Sequence, residues 1–385
     1  MSPVTDPVGD SRAAAEAAFA KSSLPQPTVE TWRRFPREVF SLQRLAAEHA
    51  AELTGLGARI PAGVEVSTLE EAALRHPELV AEALKAAAGP DYDRLEQANL
   101  SKWRGGAFVR VPKGVKLTEP VHLEFVHDPA RPFSFPRVLV VLEEGAEAVV
   151  VEEHRSEASD LKPVSAAFST LRLAAGAKAR YVYVQDLPKG AAHFWRQDAR
   201  VAADALLEHA SVMVGGSRVK TELSVALEGT RSRSVLRGVL LGRADHVCDA
   251  RTTQHHRAAK TTSDLDFRAA LRDKARSLYT GLLRIERDAP DCEAYQSNRN
   301  LLLSDRARAD STPVLEILPD AVACKHAATS GPLEEPELFY LQTRGLDRSE
   351  AERTLVLAFF QSLLDQVPVD ALRERLEALV AREAV

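Results

Sequence analysis

Short runs of alternating apolar and polar residues, typical of β-strands, dominate the chain from Ala107 onward. AFVRVP, VHLEFV and RVLVVL are the first of these runs, and Pro, Gly or Asp residues bound them. Turn-like sequences recur at Gly114, Gly145, Gly176 and Ala205, at spacings of 31, 31 and 29 residues. A repeat of this length predicts a solenoid in which each coil buries its apolar face against the next. The spacing alone leaves a plain antiparallel sandwich open as the alternative.

Helical periodicity flanks this β-rich region on both sides. Residues 11–21 and a periodic stretch at 31–53 predict helices before it. After Gly331 the period becomes helical again, and LVLAFF at 355–360 is apolar nearly all round, so this helix must bury more than one face. One face can pack on the end of the solenoid, while the other meets either a partner subunit or its own helical domain. The predicted organisation is an N-terminal helical region over 1–104, a β core over 105–331 and a C-terminal helical region over 332–385.

The composition is that of an ordinary folded protein. Hydrophobic residues make up 45% of the 385 residues and charged residues 27%, which argues against global disorder. Fifty basic and 55 acidic residues give a formal charge of −5, so no general attraction to nucleic acid or acidic membranes is expected. No run approaches about 18 consecutive apolar residues, and the N-terminus lacks a cationic start followed by an apolar run. We therefore expect a cytoplasmic protein without a membrane span.

The candidate chemistry lies in one Cys-x-His pair, formed by Cys324 and His326. If VACKH continues as a strand, both side chains leave the same face, with their Cα atoms about 7 Å apart. A thiolate and an imidazole suit a soft or borderline metal, but zinc and iron–sulfur sites usually need about four ligands. Either a partner protein completes a shared site, or Cys324 is a small buried hydrophobe beside a satisfied histidine.

The other cysteines and histidines are weaker candidates. Cys248 and Cys292 belong to no Cys-x-x-Cys motif, so we expect them to be buried or inert. His193, His209 and His246 stand singly in strand-like sequence and are expected to face solvent or to be hydrogen-bonded. None of the five is a predicted ligand.

Four sequence blocks surround or contain the Cys-x-His pair: AYQSNRNLLLS at 294–304, PVLEI at 313–317, CKHAATSG at 324–331 and LFYLQTRGL at 338–346. Together they resemble the SufB/SufD family of iron–sulfur cluster assembly scaffolds, and a weaker match reaches back to GAFVRVPKGV at 106–115. Family members usually read Cys-Ser-His-Gly-Ala-Thr, so Lys325 and Ala327 depart from that pattern. The SufB type carries a cysteine before the Pro-x-x-Glu block, whereas residues 304–312 contain none. The chain is therefore more similar to the SufD type.

This resemblance implies a mainly β fold, a right-handed parallel β-helix flanked by helical regions. It also implies a non-catalytic scaffold subunit of a SufBCD-type complex, which pairs with a SufB-like subunit through the β-helix edge. The helices at 332–385 would dock a SufC-like ATPase, which would hydrolyse the ATP. His326 and Cys324 would lie near the pairing surface, where a nascent cluster or its iron is held transiently, and no tightly bound cofactor is expected. In isolation the chain could form a homodimer.

An alternative from another class is a cytoplasmic β-helix enzyme acting on polysaccharide, because fold alone does not determine function. Such enzymes use clustered carboxylates, and the sequence shows no obvious paired-acid motif. It also contains no GxxxxGK[ST] phosphate loop, no G-x-S-x-G elbow and no H-E-x-x-H pair. These features favour the scaffold.

Overall fold

The structure is a computed structural model that describes residues 7–21, 29, 31–40, 52–54, 63–87, 94–104, 106–127 and 133–383. Its main feature is a stack of β-strands wound into a solenoid. The strands of the described part are β1 Glu52–Thr54, β2 Glu65–Thr68, β3 Ala107–Val111, β4 Val121–His127, β5 Phe133–Ser134, β6 Arg137–Leu142, β7 Glu147–Ser156, β8 Val164–Leu173, β9 Lys178–Leu187, β10 Ala192–Val201, β11 Leu206–Gly215, β12 Arg218–Leu227, β13 Arg233–Gly242, β14 Val247–His256, β15 Thr262–Leu271, β16 Arg276–Ile285, β17 Cys292–Leu302, β18 Arg308–Ile317 and β19 Val322–Gly331.

From β6 onward, successive strands alternate between two sheets that face each other. One sheet has nine strands in the order β1-β4-β7-β9-β11-β13-β15-β17-β19. The other has ten: nine in the order β18-β16-β14-β12-β10-β8-β6-β3-β2, and β5, which pairs with β8. The stacked strands pair in parallel, and within the described ranges only the β1–β4 and β2–β3 pairs at the N-terminal end are antiparallel. The solenoid prediction is therefore confirmed, with about eight coils, and the sandwich alternative is wrong.

The predicted repeat corresponds to one corner of each coil. Gly114, Gly145 and Gly176 have φ angles of 71°, 66° and 67°, in the left-handed region that glycine tolerates best. The fourth corner has its left-handed residue at Asp204, one position before the predicted Ala205. Later corners use Arg231, Lys260 and Asp291, with φ angles of 59° to 62°. The repeat thus continues beyond the point where glycine marks it.

The N-terminal helices cover the outer face of the ten-stranded sheet. They are α1 Pro7–Lys21, a 3-10 helix Arg37–Phe40, α2 Leu69–Arg75, α3 Pro77–Ala87 and α4 Arg94–Lys102. Trp32 and Phe35 pack with Phe194 of β10, and the buried Lys220 ammonium donates to Thr31 O at 3.0 Å and to Asp249 Oδ2 at 2.9 Å. These contacts fix residues 31–35 on the solenoid.

The helix predicted over 31–53 is wrong where the structure describes it. Residues 31–40 form turns and the 3-10 helix, and residues 52–54 form β1, while residues 41–51 lie outside the described residues. Tertiary pairing explains the difference at β1, because this strand adds antiparallel to β4. The helical period of the sequence does not encode that pairing.

Three C-terminal helices follow the last coil: α5 Glu335–Thr343, α6 Arg348–Leu364 and α7 Asp370–Glu383. Val356 and Phe360 of α6 are buried against valines on the outer face of the nine-stranded sheet, including Val184 and Val214. The apolar helix therefore packs along the side of the solenoid and not on its end, and its buried positions are covered by its own chain. Among the described residues, no helix combines the length and apolar character needed to cross a bilayer.

Candidate functional site

The last coil leaves the solenoid with an open end. Strands β18 and β19, each ten residues long, occupy the edges of the two sheets, and each has a single strand neighbour among the described residues. An edge strand presents a row of unpaired N–H and C=O groups to any strand that can pair with it. Most residues of both strands are exposed or half-buried. The structure thus presents two adjacent edges at one end.

Cys324 and His326 both lie on β19, as the strand prediction required. In the parallel register Cys324 is paired with Ala294 and His326 with Gln296, both of which are buried inside the solenoid. Because paired residues in stacked strands point to the same side, Cys324 and His326 face the solenoid interior at its open end. Cys324 is half-buried and His326 is exposed. One thiol and one imidazole therefore share the inner face of the terminal coil.

The Cys324 thiol lies at the rim of a small apolar cluster. Leu283, Ile285 and the buried Cys292 form this cluster in the coil below. Burial, together with the nearby Cys292 thiol, raises the pKa of Cys324. At neutral pH the group is a thiol and not a thiolate, so a metal that binds here must displace its proton.

A network of amide and hydroxyl groups lies inside the last two coils. Asn300 Nδ2 donates to Ser330 Oγ and Thr329 O of β19, both at 3.2 Å, and to Ser311 Oγ of β18 at 3.1 Å. The Ser311 hydroxyl in turn donates to Asn298 Oδ1 at 2.5 Å. Asn300 thus links the two edge strands across the solenoid and fixes their separation. The alternating Gln, Asn and Asn of the YQSNRN block is the sequence signal for this network.

Gln296 lies directly below His326 in the stack and is 3% exposed. Its Nε2 donates to Gly281 O at 3.2 Å, and a Cβ at position 281 would lie 1.8 Å from that nitrogen. Glycine at 281 therefore leaves the space that this amide occupies beneath the site. Among the described residues, no group of three or more His, Cys, Asp or Glu side chains could hold a metal ion.

The remaining cysteines are as predicted, and one of the three histidines is not. Cys248 and Cys292 are buried free thiols. His193 is buried and hydrogen-bonded to Ser165 Oγ at 2.5 Å and Tyr183 OH at 2.7 Å. His246 is buried and hydrogen-bonded to the backbone of Leu241, which fits the expectation of a solvent-facing or hydrogen-bonded residue. His209 is also buried, but both of its ring nitrogens lack a partner within the described part of the chain, so neither alternative applies to it. The burial of His209 follows from the alternation of side chains along β11, which places it on the inner face of the solenoid.

A second polar group of residues lies inside the early coils and was not predicted. The buried Glu152 carboxylate accepts hydrogen bonds from His154 Nε2 at 2.8 Å, Ser169 Oγ at 2.6 Å and Tyr181. Burial alone would raise the pKa of Glu152, but these donors outweigh it and hold that pKa below its ordinary value. The alternation of VVVEEH at 149–154 places Glu152 and His154 on the inner face, so the signal was present in the sequence. Glu152 and His154 lie on β7, six strands away from β19, and are not part of the terminal site.

The chain is thus a parallel β-solenoid with helical regions at both ends and a Cys-x-His pair on its last strand. Residues 125–359 match the family model described as SUF system FeS cluster assembly, SufBD core domain, and residues 46–123 match the SufBD protein N-terminal region. The core model covers more than half of the chain. The chain therefore belongs to the SufBD family of the SUF iron–sulfur cluster assembly system.

Among its relatives is the iron–sulfur cluster assembly protein SufD of Bacillus subtilis, 27% identical over 323 residues, which cover 83% of this chain and 74% of the relative. An iron–sulfur cluster assembly SufBD family protein of Mycobacterium tuberculosis is 29% identical over 303 residues, or 77% of this chain and 75% of the relative. The SufD of Escherichia coli is 29% identical over 241 residues, or 63% of this chain and 57% of the relative. These similarities confirm the resemblance to the family, and the relatives named SufD agree with the assignment to the SufD type.

Proposed function

We propose that this chain is a non-catalytic, SufD-like scaffold subunit of a cytoplasmic SufBCD-type complex. It has three parts, a helical region over 1–104, a β core over 105–331 and a helical region over 332–385. Its terminal coil pairs with a SufB-like subunit, and its C-terminal helices dock a SufC-like ATPase. A nascent iron–sulfur cluster, or its iron, is the cargo.

The observation that carries this proposal is the position of Cys324 and His326 on the inner face of an open solenoid end. Two donors make about half of the usual ligand set of a zinc or iron–sulfur site. A partner that adds strands to β18 and β19 would bring its own side chains to the same inner face. The site is therefore completed by the same contact that joins the subunits. His326 has the leading role, because it is exposed and no thiol proton has to leave before it can bind.

The proposed ATPase contact is supported by α5, the most exposed of the C-terminal helices. Phe339 is 68% exposed and Tyr340 is 56% exposed, although both are large apolar side chains. Leu338 faces inward and is buried, so α5 is held on α6 with its aromatic pair outward. Exposed neighbouring aromatics are typical anchors of protein interfaces.

Replacing both Phe339 and Tyr340 with serine should weaken binding of a SufC-like ATPase by about tenfold or more, since a buried aromatic anchor contributes roughly 2 kcal/mol. Binding can be measured by calorimetry with the purified ATPase. The matched control is Leu74→Ser, because Leu74 is 86% exposed on α2 and lies outside the proposed contact. Equal affinities for the double variant and the parent chain would place the ATPase elsewhere.

Co-purification tests the complex itself. The chain, tagged at one end, is produced together with SufB-like and SufC-like proteins from the same cells. The mass of the purified complex is then measured by native mass spectrometry. Capture of both proteins is expected at micromolar concentration. Recovery of the chain alone, or only as a homodimer that forms clusters by itself, would overturn the proposal.

A further inference from the structure

The inner face of β19 carries the Cys-x-His pair, and its outer face borders a cleft whose lining also includes His326. We propose that this cleft, defined by Asp266, Arg268, Tyr295, Arg299, Lys325 and Gln366, receives an acidic segment of the SufB-like partner. The inference rests on the proposed pairing through the open end. It adds the chemistry by which the partner would be recognised.

The cleft lies between the outer faces of β15, β17 and β19 and the C-terminal end of α6. Its volume is about 410 Å³. Lys325 and Tyr295 are paired neighbours on β19 and β17, and Tyr295 is 37% exposed. Ser362 and Gln366 form the wall on the helical side. The cleft is therefore open to solvent at the same edge that the partner would reach.

The charges of the cleft do not balance. Arg237 pairs with Asp264 at 2.6 Å, and Arg268 pairs with Asp266 at 2.6 Å. Arg299 donates to Ser297 Oγ at 3.3 Å and reaches the same Asp266 only at 3.7 Å, and Lys325 makes no ion pair among the described residues. Four cationic side chains thus face two carboxylates in a chain whose formal charge is −5. The local surplus is positive.

Carboxylates of a partner protein fit this surplus. A strand that adds to β19 would pass Lys325 at close range, because Lys325 lies on the edge strand itself. In such strand addition the main-chain hydrogen bonds provide affinity, and side-chain pockets beside the strand provide specificity. Complementary charge at the rim of an interface mainly speeds association and selects the partner. An Asp or Glu of the partner beside Lys325 and Arg299 would satisfy both cations.

The test is the affinity and its salt dependence for the SufB-like subunit, measured by biolayer interferometry at several NaCl concentrations. Lys325→Glu is expected to lower the affinity for the SufB-like subunit about tenfold at low salt and to make that affinity depend less on salt. The affinity of Lys325→Gln should lie between those of Lys325→Glu and the parent chain. Lys189→Glu is the matched control, because Lys189 is an exposed lysine in the turn after β9, far from the end. It should bind like the parent chain.

The outcomes separate the two proposals. If the parent chain binds and Lys325→Glu binds equally well with the same salt dependence, the cleft does not receive an acidic segment, and the pairing itself stands. If the parent chain does not bind, the proposed pairing fails and the role of the cleft fails with it. Circular dichroism of each variant confirms that the solenoid is folded.

Discussion

Replacement of His326 by alanine is expected to lower the yield of iron–sulfur cluster at least about tenfold in the reconstituted complex. Loss of a residue that only supports a metal ligand already lowers metal affinity or activity by about tenfold or more, and His326 is proposed to be a ligand itself. His326 supplies the exposed donor of the two on β19, and among the described residues its side chain makes no hydrogen bond or ion pair that folding would lose. The free energy of unfolding and the association with both partners should therefore be unchanged. The measurement is the yield of cluster by visible absorbance and by iron and sulfide content.

The control for this experiment is His122→Ala, because His122 lies on β4 near the opposite end of the solenoid. It should form clusters like the parent chain. Cys324→Ser tests the second donor separately, since its thiol is half-buried against Cys292. An unchanged cluster yield in His326→Ala, with the complex intact, would contradict the role of the Cys-x-His pair.

The second large effect is a loss of stability in mild acid. Six histidines of the described residues are buried inside the solenoid. Burial lowers the pKa values of four of them, to about 3 for His127 and about 4 for His209, His246 and His256. In the unfolded chain an imidazole has a pKa near 6.5. Below pH 6.5 the unfolded state therefore takes up protons that the folded state cannot, and stability falls as pH decreases toward 4.

When the pH is lowered from 7 to 5, each of these imidazoles should decrease the free energy of unfolding by about 2 kcal/mol. Together they represent a large part of the roughly 5–15 kcal/mol that stabilises a typical domain. Carboxylates with lowered pKa values, such as Glu152, lose their contribution only at lower pH and do not offset this loss. We expect the midpoint of thermal unfolding to fall markedly between pH 7 and pH 5.

His209→Phe isolates one of these contributions. The His209 ring stacks on Tyr181 with centroids 5.7 Å apart, so phenylalanine retains the aromatic contact and removes the proton site. Urea unfolding at pH 7 and pH 5 should show a pH effect smaller by about 2 kcal/mol in the variant. His122→Phe is the control, and its pH effect should match that of the parent chain. If His209→Phe has the same pH dependence as the parent, protonation of the buried ring does not cause the loss.

The sequence predicts the solenoid because the first corners are marked by Gly114, Gly145 and Gly176. The sequence marks the later corners less clearly. There Arg231, Lys260 and Asp291 adopt the same left-handed conformation at some conformational cost, and no glycine marks the turn. The helix predicted over 31–53 failed at residues 52–54 because pairing of β1 with β4 overrides the local period there. Long-range pairing of this kind is not encoded in a short window of sequence.

At the site, the alternation of a strand is sufficient to place Cys324 and His326 on one face. It does not reveal that this face is the inner one, because that depends on pairing with Ala294 and Gln296 in the preceding coil. Likewise, the dependence of Gln296 on Gly281 joins residues of facing sheets. The exposed aromatic pair at Phe339 and Tyr340 becomes visible only once α6 is seen to pack along the side of the solenoid.

Hydrogen–deuterium exchange of the chain, alone and with the SufB-like subunit, tests most directly whether the open end is completed by a partner. In the isolated chain about half of the backbone amides of an edge strand point away from its single neighbour, so many amides over 308–331 should exchange quickly. Addition of the subunit should protect these amides and leave β9 to β12 unchanged. Binding without any new protection over 308–331 would contradict the account.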